Sequence, residues 1–303
     1  MRTLTLCPTA ITDTPYDFHS RLAVFNAKRL SPKSPDANWI NDIRTEAAWK
    51  IAEGEFIEME RSSISAAAAL APTGVDRFMD WFERLRQEGP GQNDALFPWL
   101  QNYASLEEMR WFLTQEAAGE AGFDDLLAIT QVKVPIRAKL EMASNYWDEM
   151  GRGHERGMHG PMLEQVVKEL ALEPTVAGTV WESLALGNLM VGLAINRRYA
   201  YQSIGALGAI EMTAPGRVSL INAGLQRLHV PIAARKYFQL HAGLDIQHSK
   251  NWNLEVIAPL VSNQPDLGPW IAEGALMRLA SGARCFERYR AHFGLDAAPV
   301  DAA

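Results

Sequence analysis

Residues 237–248 read YFQLHAGLDIQH and place His241, Asp245 and His248 four and then three residues apart. On an α-helix these steps lie within roughly 60° of one another, so the three side chains project from one stripe. Two imidazoles and a carboxylate suit iron, zinc or manganese better than calcium or magnesium. The stretch therefore predicts a helix with a metal-binding face, as found in the metal sites of helical bundles.

The rest of the chain carries the same helical pattern. Apolar residues recur at helical spacing in most segments, alternating strand patterns are rare, and Asn-Gly and Asp-Gly hairpin turns are absent. We predict an all-α protein whose long helices include residues 179–211 and 267–292, with a helix end near Pro215. The loop at 88–94 is the best candidate for an internal boundary. It would separate an N-terminal helical extension, residues 1–100, from a metal-binding bundle, residues 101–303, and we expect the two to merge into one domain.

Composition narrows the classes of partner. The chain has 48% hydrophobic and 21% charged residues, which is typical of a globular protein. Its net charge of -7 gives no electrostatic reason to expect nucleic acid or an anionic membrane as a partner. No apolar run is long enough for a transmembrane helix, and the first residues lack the apolar core of a secretion signal. Cys7 and Cys285 stand at opposite ends and form no disulfide framework, so we expect a cytoplasmic protein.

A second group of candidate ligands lies in residues 141–159. Glu149 and His159 sit beside large apolar residues, where a buried charge is unfavourable unless it is neutralised. They are ten residues apart, so a straight helix would separate them by about 15 Å. We therefore expect the helix to break between them at Gly151 and Gly153, because glycine tolerates backbone conformations that end a helix.

Two further carboxylates complete the candidate set. Glu116 closely follows the apolar run Trp111-Phe112-Leu113, with Glu120 as its rival, and Glu211 ends a run of small and apolar residues that normally excludes charge. Four carboxylates and three neutral imidazoles would balance two divalent metals. The set is Glu116, Glu149, His159, Glu211, His241, Asp245 and His248.

The pattern as a whole resembles a known family. The run DEMGRG at 148–153, followed by His159, Glu211 and the 241–248 triplet, is similar to the haem-oxygenase-like di-iron oxidases, also called iron-containing redox enzymes. The resemblance covers about residues 105–262. It implies a haem-oxygenase-like helical bundle, here with extra N-terminal helices, that binds two iron ions in place of haem, with Fe/Mn as a variant. It also implies the ligands already named, with Glu116 or Glu120 contributed by the first core helix.

The resemblance further implies an oxygen-dependent oxidoreductase. Such an enzyme activates dioxygen, its co-substrate, to oxidise a small organic molecule of fatty-acid, amino-acid or amine type. The alternative is a thiaminase-like or cofactor-independent helical enzyme or binding protein without oxygen-activating metals. A ferritin-like protein is disfavoured, because the chain lacks repeated Glu-x-x-His pairs on two helices.

The substrate is the least defined part of the prediction. Arg197 and Arg198 could hold a substrate carboxylate by bidentate contact, although surface or interhelix salt bridges are the commoner role. Tyr201 follows them, and Tyr146 could line a cavity or pack in the core. The expected partner is a small molecule. The chain could also use an external electron donor and form a homodimer.

Overall fold

The structure, a computed structural model, describes residues 13–120 and 122–295. Within these ranges it contains helices and no β-strand, which confirms the all-α class; Met150 and Met158 form an isolated bridge. The α-helices are α1 Pro15–Leu30, α2 Trp39–Ala68, α3 Val75–Glu88, α4 Leu96–Asn102, α5 Leu106–Gly119, α6 Phe123–Thr130, α7 Ile136–Glu149, α8 His159–Glu169, α9 Trp181–Ile195, α10 Ala200–Arg227, α11 Ile232–Asn251, α12 Ala258–Asn263 and α13 Gly268–Phe293.

The centre of the bundle is α10, which packs along both α13 and α11. Glycines let α10 and α13 approach closely. A Cβ on Gly205 would lie 1.9 Å from the carbonyl oxygen of Ile271, and one on Gly274 would lie 1.8 Å from that of Gln202. Only glycine fits at such distances without moving the helices apart. The close pair fixes the position from which α10 presents Glu211 to α11.

The N-terminal helices pack against this bundle. α1 lies against α9, and α2 lies against α13. Phe18 of α1 and Phe56 of α2 belong to the same hydrophobic core as Leu193 and Ile204. The N-terminal helices therefore help to hold α9 and α10 in place. The division of the chain into 1–100 and 101–303 stays a prediction.

Two predicted helix boundaries are wrong. Residues 179–211 do not form one helix, because α9 ends at Ile195 and a 3-10 turn, Arg197–Tyr199, precedes α10. The side chain of Asn196 accepts from the backbone N–H of Arg198, an alternative partner that favours the turn. The helix also does not end near Pro215, since α10 continues through it to Arg227. Packing on α11 and α13 compensates for the hydrogen bond that proline cannot donate to the carbonyl of Glu211.

Of the two cysteines, only Cys285 lies among the described residues. Residues 1–12, including Cys7, lie outside the described residues, whereas Cys285 is buried and has a free thiol. Among the described helices, none combines the length and apolar character needed to cross a bilayer.

The buried His19 of α1 makes the packing of the N-terminal helices sensitive to acid. Its ring stacks on Trp181 at 5.8 Å, and Asn188 donates to its backbone carbonyl at 2.9 Å. Burial, followed by the charge of Arg284, lowers the pKa of His19 from 6.5 to about 3. The unfolded chain therefore binds the proton more readily, and the folded state loses stability as pH falls from 6.5 towards 3.

We predict that His19→Gln reduces this acid sensitivity, because glutamine does not gain a proton. Between pH 7.5 and pH 5, His19 should account for about 2 kcal/mol of lost unfolding free energy in the wild type. Urea unfolding at the two pH values measures the loss in each protein. An equal loss in wild type and variant would show that His19 is not the titrating group.

Candidate metal centre

The 241–248 stripe faces inward from α11 toward α7, α8 and α10. Asp245 and His248 are each 4% exposed, and His241 is partly buried. α10 contributes Glu211 and the end of α7 contributes Glu149, both buried. These residues lie on different helices, so their meeting depends on the bundle and not on any one sequence motif.

The candidate ligands form two groups of three. Each group has ligand atoms within 4.8 Å of one another. The first, group one, contains Glu149, His159 and His241, and the second, group two, contains Glu211, Asp245 and His248. The α11 stripe is therefore shared between the groups. Each group provides both carboxylate and imidazole, a donor set that suits iron, manganese or zinc.

The chain break between Glu149 and His159 is confirmed. α7 ends at Glu149, two short 3-10 turns follow, and α8 begins at His159. Gly151 and Gly153 have φ angles of 58° and 84°, in the left-handed region that favours glycine. The turn returns the chain so that His159 Nδ1 lies 2.5 Å from Glu149 Oε2.

Gly151 is sterically required by this turn. A Cβ there would lie 2.4 Å from the carbonyl carbon of Gly157. We predict that Gly151→Ala displaces His159 from Glu149 and weakens metal binding in group one. Gly243→Ala is the matched control, because a Cβ at that helical position meets nothing within 4 Å. Metal titration of both variants should show weakened binding for Gly151→Ala alone, and unchanged binding in both would refute the role of the turn.

Several contacts orient the candidate ligands. The Nδ1 atom of His241 lies 2.7 Å from the carbonyl oxygen of Tyr237, which as a hydrogen-bond donor would leave Nε2 for a metal. Asn145 donates to Glu211 Oε1 at 2.6 Å. Asp148 Oδ2 lies 3.1 Å from His248 Nε2. The side chains around the two groups thus fix ring and carboxylate orientations before any metal binds.

Two buried imidazole nitrogens indicate that metal ions fit the two groups. The Nδ1 atoms of His159 and His248 are buried and make no hydrogen bond to a described residue, yet each faces a carboxylate oxygen. The distance from His248 Nδ1 to Glu211 Oε2 is 3.6 Å. A buried nitrogen without a hydrogen-bond partner is unfavourable, and a metal ion coordinated by both the nitrogen and the carboxylate oxygen would satisfy both atoms.

Electrostatics favour cations in the same place. Burial, followed by the charge of Glu211, raises the pKa of Glu149 and that of Asp245 to about 9. Burial lowers the pKa of His159 and of His241 to about 4, which keeps both imidazoles neutral and able to ligate. Burial also lowers the pKa of His248, but Glu211 and Asp148 outweigh it and raise that pKa to about 9. Without a metal, protons compensate the buried carboxylates.

Glu116 lies on the wall of the adjoining cavity but in neither group of three. Its Oε1 accepts a hydrogen bond from the hydroxyl of Tyr289 at 2.9 Å. Glu120 also lines the cavity and accepts from the backbone N–H of Phe123 at 3.2 Å. The structure thus brings together six of the seven predicted ligands. Ligation by Glu116, or by its rival Glu120, stays a prediction.

The residues predicted to bind substrate lie away from the cavity. Arg197 donates to the carbonyls of Ile129, Thr130 and Val132 at and just after the end of α6, so its guanidinium already has partners. Arg198 is exposed near Glu58. Tyr146 and Tyr201 are partly buried and pack against the main hydrophobic core. The structure does not bring these four side chains to the candidate ligands.

Sequence reasoning missed three polar residues of this region. Asn145 directly precedes the predicted Tyr146, and Arg217 and Arg278 line the cavity beside the ligands. A signal for Arg278 was present, because it interrupts the otherwise apolar run ALMRLA at 275–280. Arg217 follows Pro215-Gly216, which resembled a surface turn. Only the continuation of α10 through the proline places it inside.

The family model of the iron-containing redox enzymes matches residues 110–283. The chain belongs to this family. The match spans more than half of the protein and contains both groups of three ligands. Among curated proteins, none matches the sequence. As an iron-containing redox enzyme, the protein is an oxidoreductase whose buried carboxylate and histidine groups are its candidate iron ligands.

Proposed function

We propose that this protein is a non-haem di-iron oxidase or oxygenase that uses dioxygen to oxidise a small organic substrate. The observation that carries the proposal is the pair of three-ligand groups that share the 241–248 stripe of α11. A single metal would leave three of these buried titratable side chains without a cation. Two ferrous ions, one in each group, would satisfy both, and their charge of +4 would be opposed by the three carboxylates of the groups, which leaves a net charge of +1.

The residues around the two groups have separate roles in the proposal. Glu149, His159 and His241 would hold one ion, and Glu211, Asp245 and His248 would hold the other. When bound, ferrous iron supplies electrons for the reduction of dioxygen, and an external donor would restore them between turnovers. Apolar side chains of the adjoining cavity, including Leu113, Leu163 and Phe238, would exclude water from the substrate.

The proposal includes a cellular setting. A small-molecule substrate and an external electron donor are the expected partners, and a homodimer is compatible with the fold. The acidic net charge and the scarcity of cysteine support a cytoplasmic location without nucleic-acid or membrane partners.

Anaerobic reconstitution with ferrous iron tests the proposal. We expect two irons per chain, followed on exposure to oxygen by a transient visible absorption band and consumption of dioxygen. His159→Ala should lower the iron content, because it removes a ligand from group one. His154→Ala is the matched control, since this exposed histidine lies in the same turn and in neither group.

Two results would contradict the proposal. Absence of iron binding would favour the thiaminase-like or cofactor-independent alternative. Binding of iron without any reaction with dioxygen, with or without an added reductant, would exclude an oxygen-dependent enzyme. Equal iron loss in His154→Ala and His159→Ala would show that the loss reflects the turn and not ligation.

A further inference from the structure

A cavity of about 310 Å³ leads away from the candidate metal ligands. It follows one stripe of α10, where residues recur at steps of three or four and therefore lie on one face. The stripe begins at Ile210 and Glu211 and continues through Ala214 to Arg217, Val218 and Ile221. One end of the cavity is thus lined by candidate metal ligands and another part by the guanidinium of Arg217, and apolar side chains lie between these two parts.

Two arginines share this more distant part of the cavity. Arg217 comes from α10 and Arg278 from α13. Within the described ranges, neither guanidinium donates a hydrogen bond, and neither lies within 4.0 Å of a carboxylate oxygen. The Nε atom of Arg278 is fully buried and has no partner. Both side chains are partly buried, and arginines in such positions are normally paired, so the pair lacks an anion.

Other arginines of the chain show the usual arrangement. Arg227, also on α10, donates to the carbonyls of Leu100, Gln101 and Ala104. Its N–H groups thus have protein acceptors. Arg217 instead lies over the ring of Phe286, with 5.5 Å between the guanidinium carbon and the ring centroid. A ring face orients a guanidinium but offers no acceptor for its in-plane N–H groups.

The charges around the pair leave room for one more anion. Burial, followed by the charge of Arg278, lowers the pKa of Arg217 to about 10, so Arg217 stays charged at neutral pH. Glu116 lines the same cavity, but its carboxylate accepts from the hydroxyl of Tyr289 and forms no ion pair with either arginine. Glu120 also lines the cavity and accepts from the backbone N–H of Phe123. The carboxyl groups of the cavity wall therefore leave the N–H groups of both arginines without an acceptor.

We propose that Arg217 and Arg278 bind the carboxylate of the substrate, whose hydrocarbon part lies along the apolar wall toward the two groups of metal ligands. This inference rests on the proposed function, because it supplies the substrate for that site. A carboxylate matches the planar donor fork of arginine, so one carboxylate could accept from both guanidinium groups.

The spacing along α10 sets the form of the substrate. Glu211 and Arg217 are six residues apart, which corresponds to about 9 Å along the helix axis. Ala214 and Val218 line the wall between or beside them, and Leu113 and Phe238 also face the cavity. A carboxylate held by the arginines would therefore place a carbon several bonds away next to the metal ligands. Short carboxylates would not span this distance.

Calorimetry and thermal shift on the iron-loaded, oxygen-free protein test the inference. The probes are straight-chain carboxylates from butanoate to dodecanoate, with the corresponding amines, alcohols and alkyl phosphates. We expect carboxylates to bind with a preferred chain length within the series. Amines and alcohols of that length should bind roughly tenfold or more weakly, because they lack the charge-assisted hydrogen bonds.

Variants separate the arginines from direct binding of carboxylate to iron. Arg217→Gln and Arg278→Gln should each weaken carboxylate binding about tenfold or more while two irons remain bound. Without ligand, neither variant should melt below the wild type, because each removes a partly buried charge that forms no ion pair in the protein. Arg84→Gln is the control, since Arg84 is exposed on α3 and should leave carboxylate binding unchanged.

The outcomes distinguish this inference from the proposed function. Iron binding and oxygen consumption without carboxylate binding would overturn the inference and leave the di-iron proposal standing. If the protein holds no iron but binds carboxylates through Arg217 and Arg278, the di-iron proposal is overturned and the carboxylate site stands. Equal binding of amines, tighter binding of alkyl phosphates, or unchanged carboxylate binding in both arginine variants would each overturn the assignment.

Discussion

The main physical constraint on this bundle is that its interior buries carboxyl groups that repel one another. Glu149, Glu211 and Asp245 converge from three helices into an interior that disfavours their charges. The raised pKa values of Glu149 and Asp245 express this cost in the metal-free protein. Protons remove the repulsion when no metal is present, and two divalent cations would do so while keeping the side chains ionised.

Because the buried carboxyls oppose folding without cations, the rest of the chain must hold the helices together. The glycine contacts between α10 and α13 fix one side of the site. α1 and α2 pack on α9 and α13 and extend the core away from the ligands. The turn at Gly151 joins α7 to α8 within a few residues and brings His159 back to Glu149. Stability therefore comes from the surrounding core, which leaves the central side chains free for metal binding.

Most of the geometry of the candidate metal centre could be predicted from sequence, because helical spacing is a local property. The steps between His241, Asp245 and His248 give their common face directly, and the glycines after Glu149 predict the break before His159. The division of the stripe between two ligand groups could not be predicted, since it depends on where α7, α8 and α10 meet α11. The positions of the arginines could not be predicted for the same reason, since they too depend on how the helices pack. The sequence predicts Arg197 within the helix 179–211, and Arg217 follows the apparent turn at Pro215-Gly216. In the structure Arg197 caps α6 and Arg217 lines a cavity.

Anomalous diffraction at the iron edge, from crystals loaded with ferrous iron without oxygen, tests the central claim most directly. The account predicts two iron peaks per chain. One should lie among Glu149, His159 and His241, and the other among Glu211, Asp245 and His248. A single peak, or iron bound outside both groups, would contradict it.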